Sequence, residues 1–145
     1  MNFEDYYRIR DITDSAKTEE YDASTDVFKS LLREVKELSK KKPDATMSKA
    51  KVTIVNRVLG NLLTVLEGQP DAKYLEKLND DDLPQVSDAV LIMVQFASAL
   101  AAFRERYFCN IRRYGRKWVT TDLVDFLREE YEGLISEDED DDLEE

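Results

Sequence analysis

The chain has 145 residues, with 21 Lys and Arg against 32 Asp and Glu, no His and a single Cys. One Cys excludes an internal disulfide framework and any Cys-rich zinc module; the lack of His excludes Ser–His–Asp and Cys–His catalysis. A 42% hydrophobic content can build a compact core, whereas 4 Gly and 3 Pro supply too few turns for a sandwich or barrel.

In chain order, Phe3, Tyr6, Tyr7 and Ile12 predict a short opening helix with Asn2 as its N-cap. No basic start followed by an apolar run opens the sequence, so a cytoplasmic rather than a secreted protein is expected. Residues 13–25 lack an apolar period and read as a connector. Val27, Phe28, Leu31, Leu32, Val35 and Leu38 then recur at one-sided helical spacing, up to Lys40-Lys41-Lys42 and the breaker Pro43. A second strong helix is predicted over about 48–67 from Val52, Val55, Leu59, Leu62 and Leu66, with Gly68 and Pro70 as its stop. Residues 71–78 suggest a short helix at most.

Asn79 and Asp80–Asp82 offer N-caps for the next helix, with Pro84 in its first turn and no breaker until about Tyr114. Within residues 89–103 only Gln95 and Ser98 are polar, which predicts the buried centre of a bundle. That run falls short of the roughly 20 residues a bilayer span needs, so no membrane association is expected. The last helix begins near Thr120 or Thr121, burying Leu123, Val124, Leu127, Tyr131, Leu134 and Ile135. The predicted fold is all-α: an irregular bundle of five or six helices around a long apolar central helix (about 84–114). It forms one domain over 1–136, with 13–25 as connector, followed by a disordered acidic tail over 137–145.

Charge is placed unevenly. No basic residue follows Arg128, and residues 129–145 hold 11 acids, which leaves residues 1–128 neutral. The run Glu137, Asp138, Glu139, Asp140, Asp141 and Asp142 repels itself and has nothing to bury, so it is a solvated tail or a lure for a basic surface. Continued as a helix past Gly115, the segment Arg104–Trp118 aligns Tyr107, Ile111, Tyr114 and Trp118 in one stripe. It then groups Arg106, Arg112, Arg113, Arg116 and Lys117 on a separate arc. Such an arc either covers an apolar edge or binds phosphate or carboxylate. Cys109 falls inside it and is expected to pack as a small apolar residue. Lys36, Lys40–Lys42, Lys49 and Lys51 form a second cationic group, read as a solvated helix end and loop.

Glu34 and Glu37, spaced i, i+3, share a helix side and could hold Mg²⁺, with Asp80–Asp82 and Asp88 as further oxygens. This pair, Glu34-Val35-Lys36-Glu37 followed by Gln85-Val86-Ser87-Asp88, is similar to the ExxE and ExxD motifs of all-α nucleoside triphosphate pyrophosphohydrolases. The second motif lacks its leading Glu, and an extra helix intervenes.

The leading expectation is a non-enzymatic adaptor, assembly factor or inhibitor that needs no cofactor or metal. It would bind an anionic protein partner through Arg106, Arg112, Arg113, Arg116 and Lys117, while the tail competes for that face or captures a basic partner. The alternatives are a nucleic-acid-associated component or nucleic-acid mimic, and the Mg-dependent pyrophosphohydrolase with Glu34, Glu37 and Asp88. The wide apolar helix faces also suit a homodimer.

Overall fold

The computed structural model describes residues 1–143, with side chains described through Asp138. It is mostly helical, in the order α1 (Phe3–Tyr7), α2 (Ser15–Lys41), α3 (Lys49–Val65), a 3₁₀ turn (Pro70–Ala72), α4 (Val86–Tyr107), β1 (Phe108–Ile111), β2 (Gly115–Trp118) and α5 (Thr121–Leu143). The chain divides into two compact units, one formed by Met1–Ser15 with Glu105–Glu145 and one by Ala16–Arg104.

In the contiguous unit α3 starts and stops on local capping chemistry, whereas the N-caps read at Asn79 and Asp80–Asp82 lie ahead of α4, which begins at Val86. Ser48 Oγ accepts the Lys51 N–H at 3.2 Å to start α3, and Gly68 takes φ 80 just past its end. Asn56 pins the following loop twice: its Nδ2 donates to the Leu78 carbonyl at 2.8 Å, and its Oδ1 accepts the Leu78 N–H at 2.9 Å. Two readings need correction. Residues 15–25 are helical, and the apolar period is missing there because their buried positions are filled by Thr18, Tyr21, Ser24 and Thr25 rather than by aliphatic side chains. Thr25 and Ser24 hold their hydroxyls on the preceding turn, at the Tyr21 carbonyl and Glu20. Pro84 also lies ahead of its helix. A bridge between Thr46 and Gln85 uses the Pro84 carbonyl for the Met47 N–H, and the Val86 N–H for Ala45, both at 2.9 Å.

α4 departs from the expected central helix in length and in burial. It buries one stripe, Val86, Ala89, Met93, Phe96, Ala99, Leu100 and Phe103, while Leu91, Gln95, Ser98 and Ala101 are exposed. Among the described residues it alone is long and apolar enough to cross a membrane, by length and composition only. The predicted continuation to about Tyr114 is overturned. The helix ends at Tyr107, and the next residues form an antiparallel hairpin pairing Phe108 with Trp118, Cys109 with Lys117, Asn110 with Arg116 and Ile111 with Gly115.

The hairpin belongs to the discontinuous unit. Asn2 Oδ1 caps α1 by accepting the Asp5 N–H at 2.8 Å, and α1 ends at Arg8 in the left-handed region. Phe3, Tyr7, Ile9, Ile111, Val119, Val124 and Leu127 form the core. A parallel bridge joins Thr13 to Thr120, with Thr13 N–H donating to Val119 and Thr121 N–H to Thr13. Thr120 Oγ1 caps α5 through the Leu123 N–H at 3.2 Å. α5 takes in Glu137 and Asp138, both exposed, which the sequence assigns to the disordered tail. The side chains of Glu139, Asp140, Asp141 and Asp142, and residues 144–145 altogether, lie outside the described residues.

Candidate functional site

Opposed residues in an antiparallel pair share a face. The observed register therefore puts Cys109 and Ile111 on one face of the hairpin, where Ile111 is fully buried in the core and Cys109 packs against it. Phe108, Asn110, Arg116 and Trp118 occupy the other face, with the Phe108 and Trp118 rings 5.2 Å apart and the Arg116 guanidinium 5.0 Å from the Phe108 centroid.

The predicted cationic arc dissolves with the helix that defined it, and its members take different stations. Arg106 sits half-buried in the last turn of α4. Arg112 and Arg113 form the hairpin turn, closed by the Tyr114 N–H on the Ile111 carbonyl at 3.0 Å. Arg116 and Lys117 lie on β2, on opposite faces. The four hairpin cations are all exposed. Arg112 is 4.5 Å from the centre of the Tyr6 ring, which supports its guanidinium while leaving its outer face open. Arg113 adopts φ 78, an uncommon conformation for a residue with a Cβ.

Behind the turn, Glu130 on α5 accepts hydrogen bonds from Tyr114 and, at 2.5 Å, from the buried hydroxyl of Tyr7. These donors, Tyr114 foremost, hold the Glu130 carboxyl below its usual range. Burial first, then the hydrogen bond to Glu130, pushes the Tyr7 phenol up. One half-buried carboxylate thus ties α1, the hairpin turn and α5 together.

A cleft of about 310 Å³ opens on this unit, lined by Arg8, Arg10, Asp11, Glu105, Arg106, Cys109 and Asn110. Only Arg106 and Cys109 among these were singled out from sequence. The remaining signal, Arg8-Ile9-Arg10 alternating about a buried Ile9, is short and carries no motif. The half-buried Cys109 thiol donates to the Arg106 carbonyl at 3.4 Å.

None of the carboxylates proposed for Mg²⁺ lines this cleft. Glu34 and Glu37 border a shallow depression with Arg33, Leu38 and Lys41, and Glu37 pairs with Lys40 at 3.0 Å. That exposed pair lowers the Glu37 carboxyl but adds little stability. Asp88 lies in the first turn of α4. Among the described residues no group of three or more Cys, Asp or Glu side chains is arranged to hold a metal ion. A separate apolar groove between α2 and α3 is walled by Leu31, Val35, Leu38, Met47, Ile54 and Val55. Compared with protein-family models, curated proteins and solved structures, the chain finds no match in any of the three.

Proposed function

We propose that this protein is a non-enzymatic interaction protein, an irregular helical bundle carrying a cationic hairpin that docks an acidic segment of a protein partner. The observation that supports it best is the exposed set Arg112, Arg113, Arg116 and Lys117, carried by the turn and second strand of a hairpin that is anchored in a core through Ile111 and Cys109. Between Arg104 and Trp118 the chain holds six cations and one carboxylate, although residues 1–128 are neutral overall. Guanidiniums resting on Tyr6 and Phe108 lose less freedom on binding a carboxylate than free side chains would. The acidic run Glu137–Asp142 competes for these cations or captures a basic partner.

The test must keep the part of α5 that carries Glu130 and Tyr131, because both take part in the fold; removal of residues 137–145 does so. A peptide of residues 137–145 added to that truncated chain should bind at about 50 mM salt and weaken steeply as salt rises. Arg112→Ala with Arg113→Ala should abolish the binding. A flat titration at low salt overturns the reading.

A second reading is favoured by the shared face of Phe108, Trp118 and Arg116, since rings beside cations suit the bases and phosphates of a single strand. Retardation of a labelled single-stranded oligonucleotide by the truncated chain, lost in Trp118→Ala, would establish it.

A further inference from the structure

We propose that the cleft of the discontinuous unit is a binding site for a small phosphorylated sugar, separate from the hairpin's docking role. Its volume of about 310 Å³ lies at the small end of the range for organic ligands. Arg8, Arg10 and Arg106 line it together with Asp11, Glu105 and Asn110. Among the described residues Arg8 and Arg10 form no ion pair with Asp11 or Glu105, so these four charges line one small space unspent on each other.

Arg8 supplies an independent pointer. It closes α1 at φ 66, its N–H on the Glu4 carbonyl, in a helix-ending position that favours glycine. The Arg8 side chain is exposed and makes no hydrogen bond or ion pair among the described residues. That side chain lines the cleft instead.

The ligand class follows from the lining. Guanidinium forks match the oxygens of a phosphate monoester. Asp11, Glu105 and the Asn110 carbonyl oxygen are acceptors for hydroxyl groups, and the two carboxylates repel a second anionic group. No aromatic ring lines the cleft, so nothing there stacks on a nucleobase. One terminal phosphate on a neutral, hydroxyl-rich body satisfies all three conditions.

Titration calorimetry of the full chain with ribose 5-phosphate, inorganic phosphate and ribose tests this. Ribose 5-phosphate should bind at least tenfold more tightly than inorganic phosphate, and ribose alone should give no saturable heat. Arg8→Gly should cost about tenfold in affinity while leaving the Trp118 fluorescence midpoint in urea unchanged or raised, and Arg10→Ala should weaken binding in parallel. Arg112→Ala should leave the titration as it was, which separates this site from peptide docking. Equal affinity for inorganic phosphate, no binding at millimolar sugar phosphate, or full affinity in Arg8→Gly would each overturn the proposal.

Discussion

Replacing Tyr7 by Phe removes one hydroxyl and little else. The Tyr7 ring is fully buried and meets Phe3, Tyr6 and Tyr131 at centroid distances of 5.5, 4.7 and 6.4 Å, contacts that a phenyl ring retains. What disappears is the donor to Glu130 Oε2 at 2.5 Å. Hydrogen bonds to a charged partner contribute about 1.5–3 kcal/mol, and since Glu130 is half-buried, water replaces part of the loss. The expected destabilisation is therefore near the lower end, about 1.5 kcal/mol, or roughly 0.7 M in urea midpoint at a slope of about 2 kcal/mol/M. Trp118, the only tryptophan, lies on β2 and reports on this unit by fluorescence. A Tyr7→Phe midpoint within about 0.2 M of the parent chain would refute the claim that Glu130 fastens α1 to α5.

The same carboxylate sets a pH dependence. Held below its usual range by Tyr114 and Tyr7, Glu130 contributes stability that is present above the ordinary Glu value and lost as pH falls through its lowered one. Glu130→Gln should therefore flatten the fall in the Trp118-monitored midpoint between about pH 5 and 3. Tyr7 is shifted the other way, so its contribution is complete below the ordinary phenol value and fades above about pH 10; Tyr7→Phe should remove that alkaline loss. In the contiguous unit, Asn56→Ala deletes both hydrogen bonds to Leu78 and should cost about 2 kcal/mol in urea unfolding followed by far-UV circular dichroism. Leu59, fully buried on α3, should cost about 2–5 kcal/mol as Leu59→Ala by the same measurement.

The starts of α1, α3 and α5 and the stop of α3 were legible because capping chemistry is local, whereas the start of α2 and the end of α4 were not. Asn2, Ser48 and Thr120 each supply an oxygen to a first-turn N–H, and Gly68 takes the left-handed conformation its position demands. Residues 15–25 were not legible, since a helix that buries Thr and Ser through self-satisfied hydroxyls shows no apolar period. The hairpin was hidden for a different reason. Its turn places Arg113 where turn chemistry would usually write Asn or Gly, leaving Gly115 as the one breaker. Apolar spacing across Tyr107, Ile111, Tyr114 and Trp118 happened to fit a helix as well. The basic residues of the candidate site were thus recognised, but their helical grouping was wrong, and Arg8 and Arg10 went unnoticed until the fold brought residues 8–11 beside 105–110.

That junction of early and late segments matters during synthesis. The ribosome must add Ala16–Arg104 before the residues that cover Phe3 and Tyr7 emerge, which at about 5–20 residues per second takes roughly 5–20 s. Throughout that delay the two rings stay uncovered while the intervening stretch is free to collapse. A chaperone that holds exposed aromatic segments would therefore meet Phe3 and Tyr7 before their unit is complete.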